Sequence, residues 1–130
     1  MEGRIGQVSL LVRDYDEALE FFVSKLGFIK VEDTRLSAEK RWVVIRPVNG
    51  GEGCDLLLAK AGNEHQQSFI GNQSGGRVWL FLYTKDIEKD LDVLKRHDVR
   101  IVHPLREEAY GKVLVFADLY GNLWDLIERN

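Results

Sequence analysis

Apolar and polar residues alternate along the chain in two similar blocks, and each block predicts a strand, a helix and three more strands. In the first block, Val8, Leu10 and Val12 occupy every second position. This alternation is typical of a strand with one buried face. An apolar stripe at helical spacing follows it, made of Ala18, Phe21, Phe22 and Leu26. The block ends with strand patterns at about 28–34, 41–47 and 55–60.

The first helix carries its own start and stop signals. Asp14 can accept a hydrogen bond from the free N–H groups of the first turn, and Glu17, three residues on, can complete a capping box. Gly27 ends the helix, because glycine tolerates the left-handed conformation of a helix stop. Glycines at 50, 51 and 53 predict a turn between the last two strands of the block.

The second block repeats this plan. A strand pattern at 78–83 precedes Asp86, a second candidate helix cap. Ile87, Leu91 and Leu94 then form a helical stripe, and strand patterns follow near 100–103, 112–117 and 123–128. When Asp14 is aligned with Asp86, the order of elements agrees, which indicates an internal repeat of supersecondary structure.

The repeat predicts an α+β fold of two βαβββ modules. We expect a single domain spanning 1–130, with modules at 5–61 and 77–129 and a polar, glycine-rich connector at 62–76. Each module has one helix, which covers only one face of its sheet. Two such sheets can lie side by side as a curved, half-closed mixed sheet, and its concave side is a natural cleft for a small ligand.

Composition and charge exclude two classes of partner and indicate a cellular location. The 130 residues carry a net charge of −3 with no basic stripe, so we expect no nucleic-acid partner. No apolar run approaches the roughly 20 residues that span a bilayer, so we expect no membrane partner. The N-terminus MEGRIGQ lacks the features of a signal peptide, and Cys54 is the only cysteine. These features predict a cytoplasmic protein.

Four motifs resemble those of one family, the glyoxalase/bleomycin-resistance/dioxygenase family, also called the vicinal oxygen chelate (VOC) superfamily. The motifs are QVSLLVRD from Gln7, the pair Phe21-Phe22, the run LGF from Leu26, and DLYGNLWDL from Asp118. The last is similar to the family signature DPDGN-x-x-E-L. The resemblance covers about 5–129, and the order and spacing of the motifs carry it.

The resemblance implies paired βαβββ modules and, by analogy with family members, a homodimer. Metal-dependent members hold a divalent ion in the cleft with ligands from four strand positions. Members include lactoylglutathione lyases, ring-cleaving dioxygenases, epimerases, thiol transferases acting on fosfomycin, and metal-free drug-binding proteins. The fold therefore does not fix the reaction.

Two of the four ligand positions carry a residue that can bind a metal. Gln7 stands where the family places His or Gln, and Asp125 stands where the signature carries its ligand Glu. The resemblance thus implies Gln7 and Asp125 as ligands of Ni, Zn, Co, Mn or Fe, with Asp125 as the catalytic proton acceptor. Two plainer interpretations stay open: Gln7 as a strand residue bonded to a neighbour, and Asp125 as a solvent-facing or arginine-paired carboxylate.

The other two positions do not match. Trp79 stands seven residues before Asp86, where the family places His or Glu, and an indole cannot ligate a metal. The late strand of the first module offers leucines, with Asp55 near the turn as its only carboxylate. A catalytic ion usually has at least three protein ligands, so the metal site is predicted to be degenerate.

Aromatic residues and one histidine are the alternative cleft lining. Trp79 and Trp124 lie on predicted strands, Tyr110 lies in EEAYG, which resembles the cleft-covering loop of the family, and His103 ends a strand before Pro104. We therefore expect a glyoxalase-family protein that binds a small planar or apolar molecule. The alternative is a metal-dependent lyase of the lactoylglutathione lyase type that uses Gln7 and Asp125.

Overall fold

The computed structural model describes residues 1–47 and 53–130, so the predicted turn at Gly50 and Gly51 lies outside the described residues. The first strand and helix are β1 (Gln7–Val12) and α1 (Tyr15–Leu19), which continues into a π-helix (Glu20–Lys25). The next elements are β2 (Ile29–Arg35), β3 (Arg41–Arg46), β4 (Asp55–Lys60) and α2 (Glu64–Gln67). The last five are β5 (Val78–Tyr83), α3 (Ile87–Arg96), β6 (Ile101–Glu108), β7 (Gly111–Ala117) and β8 (Leu123–Arg129).

The eight strands of the described residues form two four-stranded sheets with the same topology. Their orders are β1-β4-β3-β2 and β5-β8-β7-β6. The first strand of each block pairs in parallel with the last, and the remaining pairs are antiparallel. The predicted α+β fold with a twice-used βαβββ order is confirmed.

The chain divides into two compact units, residues 1–70 and 71–130. The division falls inside the predicted connector, which also contains the one-turn helix α2, capped by the Asn63 side chain. In the first unit Leu10, Ala18 and Phe22 are fully buried, and in the second unit Ile87 and Leu114 are. Among the described residues, no helix has the length and apolar character needed to cross a membrane.

The first helix begins and ends where the sequence predicts but changes type midway. The Asp14 side chain accepts a hydrogen bond of 2.8 Å from the Glu17 N–H, and Gly27 adopts a φ of +79°. From Glu20 the helix widens, and Leu26 N–H bonds the carbonyl of Phe21, five residues back. The apolar periodicity does not reveal this widening, because both helix types bury the Phe21-Phe22 pair.

An arginine joins three elements of the first unit. The Arg41 guanidinium makes two bonds to Asp33, of 3.1 and 2.7 Å, and one of 2.9 Å to Asp16. It also lies over the Tyr15 ring, 5.2 Å from its centroid. Arg41 thereby connects α1, β2 and β3, and it holds the pKa of Asp33 below its ordinary value. Arg41 therefore has a structural role.

One strand boundary predicted in the second unit was wrong. His103 does not end a strand, because β6 continues through Pro104 to Glu108. Pro104 is tolerated there since β6 is an edge strand with register shifts on both sides of His103. The run EEAYG, which resembles the cleft-covering loop of the family, contains a short turn: Glu108 pairs with Gly111, so only Ala109 and Tyr110 separate β6 from β7.

Candidate functional site: one face of the second sheet

The second sheet has two chemically different faces. The Glu128 carboxylate accepts a hydrogen bond of 3.0 Å from the Ile87 N–H at the start of α3, so Glu128 faces that helix. Because side chains alternate along a strand, Trp124 and Leu126 share this helix-covered side. Asp125 must then lie on the opposite side, which we call the distal face of the second sheet. The chemistry of Asp125 depends on its neighbours on that face.

A row of four residues crosses the distal face in register. Asp125 on β8 stands between Phe81 on β5 and Val115 on β7, and Val115 in turn pairs with His103 on β6. The Phe81 side chain is 57% exposed, whereas Val115 is buried. An exposed aromatic ring, a carboxylate, an apolar residue and an imidazole therefore follow one another across four strands.

The adjacent row adds apolar and charged groups. It runs from Tyr83 through Ile127 and Val113 to Arg106, with Ile127 and Val113 buried. The Arg106 guanidinium binds the Glu108 carboxylate at 2.8 Å, so part of its charge is already neutralised. The distal face thus has buried apolar residues at its centre, aromatic rings on β5, and a guanidinium and an imidazole on β6.

Asp125 is half-buried, and its carboxylate accepts no hydrogen bond from any described residue. Burial raises the pKa of Asp125 above its ordinary value, while the charges of Arg106 and His103 lower it by less. The carboxylate is therefore a hydrogen-bond acceptor whose capacity is unused within the described parts of the chain. Such a group can bind a donor from a ligand.

Gln7 belongs to the first unit, at the exposed start of β1. It stands beside Asp55 on β4, which is the first residue of that strand. The Asp55 carboxylate is bound by Arg46 through two bonds of 2.7 and 3.0 Å. Its charge is therefore already compensated by the guanidinium, and Gln7 has no free carboxylate next to it on β4.

The described residues do not fit a divalent-metal centre of the kind that the family resemblance implies. No group of three or more His, Cys, Asp or Glu side chains in the described ranges could hold a metal ion. Phe81 and Val115, the strand neighbours of Asp125, offer no ligand atom. In the first unit the position that corresponds to Asp125 carries Leu57, beside Ser9.

Trp124, which the sequence predicts as a cleft residue, lies on the helix-covered side of the second sheet and not on its distal face. It is 2% exposed, its indole N–H donates to Asp118 at 3.1 Å, and its ring stacks on Phe116. Trp79 packs edge-on against Trp124, with ring centroids 5.8 Å apart. A register shift between Val78 and Leu80 places Trp79 at an irregularity of the strand. The regular pairing that starts at Leu80 makes Phe81 the aromatic residue opposite Asp125.

The two other predicted cleft residues lie at different distances from Asp125 in the sheet. His103 belongs to the row of Asp125, two strands away, and its side chain is exposed. Tyr110 lies at the tip of the β6–β7 hairpin and is 49% exposed. Its carbonyl accepts a hydrogen bond from the N–H of Asn130. The register therefore brings His103 and Asp125 into one row, whereas Tyr110 belongs to the turn.

Sequence reasoning missed Phe81 and Arg106. The signal for Phe81 was present, because VWLFLY alternates aromatic and leucine residues and so gives one strand face three aromatic positions. Arg106 was concealed by the early strand end assigned at His103. Its placement depends on β6 passing through Pro104, which local propensity disfavours.

The DLYGN part of the signature has a structural role. The buried Asp118 carboxylate accepts hydrogen bonds from the N–H groups of Tyr120 and Asn122, from the Asn122 side chain and from the Trp124 indole. Gly121, at a φ of +99°, completes the turn. Burial raises the pKa of Asp118 and these bonds oppose that rise. The motif therefore fixes the turn that leads into Asp125.

Comparison with known proteins identifies the family. An uncharacterized protein of Shewanella frigidimarina is 49% identical, over 100% of this chain and 96% of its own length. The crystal structure of UcmS2 matches with a TM-score of 0.84 at 24% identity, covering 98% of this chain and 99% of its own. TnmS3, an antibiotic-binding protein from Streptomyces sp. CB03234, matches with a TM-score of 0.76 at 22% identity, covering 98% and 97%. The model of the Glyoxalase/Bleomycin resistance protein/Dioxygenase superfamily matches residues 4–126, so the chain belongs to this superfamily.

Proposed function

We propose that the protein binds a small organic molecule with a planar or apolar part on the distal face of the second sheet, without a metal ion. The observation that carries this proposal is the row in which the exposed Phe81 ring stands beside the half-buried Asp125 carboxylate. Ligand sites combine apolar surface with a few polar groups that fix orientation, and this row offers both.

The aromatic residues supply the apolar part of the proposed site. Phe81 and Tyr83 lie two residues apart on β5, and both side chains are more than half exposed. Exposed aromatic rings that share a strand face are favourable surfaces for stacking a flat molecule. Val115 and Ile127, which share these rows, are buried, so the exposed apolar surface is that of Phe81 and Tyr83. The similarity to TnmS3, an antibiotic-binding protein, supports the same class of function.

A direct test uses 2-naphthol and 2-methoxynaphthalene as flat probes of unlike polarity. Amide shifts in a heteronuclear NMR titration should change most at Phe81, Val115 and Asp125. Phe81→Ala should weaken binding at least tenfold, because the ring supplies the stacking surface. Phe69→Ala is the matched control, since Phe69 is also an exposed phenylalanine, at 42%, but belongs to the first unit. Equal losses in both variants, or shifts elsewhere, would overturn the proposal.

The metal-dependent lyase alternative is tested on chelator-stripped protein. Ni²⁺, Zn²⁺, Co²⁺, Mn²⁺ and Fe²⁺ are added in turn while the melting temperature is followed. A ligand at about 100 times its dissociation constant stabilises a fold by about 2.7 kcal/mol. We expect no such rise. A rise that Gln7→Ala and Asp125→Ala both abolish would instead establish shared metal binding and justify an assay with the hemithioacetal of methylglyoxal and glutathione.

We propose further that the protein is a homodimer, as the family resemblance implies. Sedimentation equilibrium over a range of concentrations tests this directly. A mass of about twice the 14.9 kDa chain would support it, and a mass that stays at one chain would reject it.

A further inference from the structure

The Asp125 carboxylate combines partial burial with unused hydrogen-bonding capacity. Within the described residues no donor reaches it, although Arg106 and His103 both act on its charge through space. Asp118, the buried carboxylate on the preceding turn, contrasts with it, because four donors satisfy Asp118. A carboxylate left half-buried without a donor is suited to accept one from a bound molecule.

The distance between Phe81 and Asp125 limits how far a hydrogen-bond donor can lie from a ring that contacts Phe81. Phe81 and Asp125 are partners on adjacent strands, so their backbones are about 4.8 Å apart. One aromatic ring that lies against Phe81 can therefore bring a hydroxyl attached directly to that ring to Asp125. His103 stands farther along the row, about 10 Å from Asp125 across two strand spacings, beyond the buried Val115.

The charges around Asp125 disfavour a cationic donor. Arg106 lies in the adjacent row on β6, and Arg129 lies over the Tyr83 ring, 4.1 Å from its centroid. Glu108 neutralises part of the charge of Arg106 but does not reverse it. An ammonium group would meet these guanidinium groups, whereas a neutral hydroxyl would not. A negatively charged ligand would be repelled by Asp125 itself.

From this geometry we infer that the ligand is a planar phenol, whose neutral hydroxyl donates to Asp125 while its ring lies against Phe81. The inference rests on the proposed function and adds the chemical class of the ligand. It predicts selection by hydrogen-bond donation, which a merely apolar surface would not provide.

Four naphthalenes of equal ring size test the inference on the intact protein. They are 2-naphthol, 2-methoxynaphthalene, 2-naphthylmethylamine and 2-naphthoate, titrated near neutral pH and followed by amide shifts. 2-Naphthol should bind at least tenfold more tightly than its methyl ether, because hydrogen bonds to charged acceptors belong to the stronger class. It should also bind more tightly than the cation and the anion.

Substitutions at Asp125 and at a control position test whether Asp125 causes the preference for 2-naphthol over its methyl ether. Asp125→Ala should bring the affinities for 2-naphthol and its methyl ether within threefold of each other, while the methyl ether still binds. Asp92→Ala removes a carboxylate from the exposed side of α3 and should leave the tenfold preference unchanged. Melting temperatures verify that both variants are folded. Asp125→Asn, which keeps a weaker acceptor, should show an intermediate preference.

The outcomes separate the two proposals. If no naphthalene shifts Phe81 and Asp125, the proposed function itself fails. If the methyl ether binds that face as tightly as 2-naphthol, the function stands and the phenol inference fails. Tighter binding of 2-naphthylmethylamine would overturn the inference in favour of a cationic ligand. A preference that survives Asp125→Ala would also overturn it.

Discussion

The two sheets have the same strand order and pairing but carry chemically different residues on their central strands. Ser9 and Phe81 each stand five residues before a helix cap, Asp14 and Asp86, so they are equivalent positions of the repeat. The rows that start from them run across all four strands of each sheet. They are Ser9, Leu57, Val44 and Glu32 in the first sheet, and Phe81, Asp125, Val115 and His103 in the second.

This comparison shows that the two modules share a backbone arrangement while the side chains at equivalent positions differ. In the first row the central residue is Leu57 and the carboxylate, Glu32, stands on the edge strand. In the second row the carboxylate is central and the edge residue is His103. A buried valine occupies the β3 and β7 positions in both rows. The binding chemistry we propose therefore belongs to the second unit alone.

The two units also differ in the polar side chain that stabilises each of them internally. In the first unit Arg41 binds two carboxylates and joins a helix to two strands. In the second unit Asp118 accepts four hydrogen bonds and fixes the turn before β8. The first unit is thus stabilised by the Arg41 cation and the second by the Asp118 anion. A substitution can remove either side chain without changing the other.

The largest effect should come from Asp118→Ala. It leaves the buried Trp124 indole N–H and Asn122 side chain without their acceptor, and unsatisfied buried donors cost about 1–3 kcal/mol each. We expect the free energy of unfolding in urea to fall by about 3 kcal/mol or more. Asp92→Ala is the surface control. A loss below about 1 kcal/mol would show that Asp118 does not hold the turn.

Exchanging the central residues of the two rows should have opposite effects. Leu57→Asp places an unpaired carboxylate in a row whose described partners are Ser9 and Val44, and should cost about 2 kcal/mol. Asp125→Leu removes a carboxylate that burial already disfavours, so unfolding free energy should stay equal or increase. Chemical denaturation measures both. Equal destabilisation by the two changes would mean that the rows are not chemically distinct.

Arg41→Met should weaken the first unit by about 0.5–1 kcal/mol at neutral pH, because Asp33 loses a two-bond partner at an exposed site where solvent screens the ion pair. The pKa of Asp33 is lowered in the fold, so this stabilisation is present above its ordinary pKa of 3.8 and is lost as the pH falls through the folded value. The difference between wild type and variant should therefore shrink in acid. A difference that is independent of pH would contradict an ionic contribution.

The smallest effect concerns the titration of Asp125. Its pKa is raised by burial, so the carboxyl should protonate above 3.8 in a carbon-detected NMR titration. For a raised pKa, the contribution to stability is complete below 3.8 and is lost as the pH rises through the folded value. Arg106→Gln removes the cation that opposes the shift and should raise the pKa further. A decrease in that variant would refute the assigned cause.

The sequence was sufficient for the fold because its signals are local and repeated. Strand alternation, the caps at Asp14 and Asp86 and the stop at Gly27 each depend on residues close in the chain, and the structure confirms them. The π-helix was not predictable, because the stripe from Glu20 suits either helix type. Nor was α2, a single turn capped by Asn63 within a polar segment.

The candidate site was predictable only in part, because it depends on register. Counting back from Asp86 drew attention to Trp79 as the residue equivalent to Gln7, whereas the strand partner of Asp125 is Phe81, two residues further along β5. A slip of one residue also decides which face a side chain occupies. The contact of Glu128 with the start of α3 shows that Trp124 lies on the helix-covered side of the sheet, and the sequence does not reveal this contact. The roles of Gln7 and Asp125 toward a metal stay predictions.

The irregular course of β6 has a consequence for how concentrated solutions of this protein should behave. Pro104 supplies no N–H, and the two register shifts interrupt the row of hydrogen-bonding groups that an incoming strand would need. An edge of this kind is a poor template for cross-β growth. Crowded or overexpressed chains should therefore not polymerise through β6, and ordered self-association has to use other surfaces.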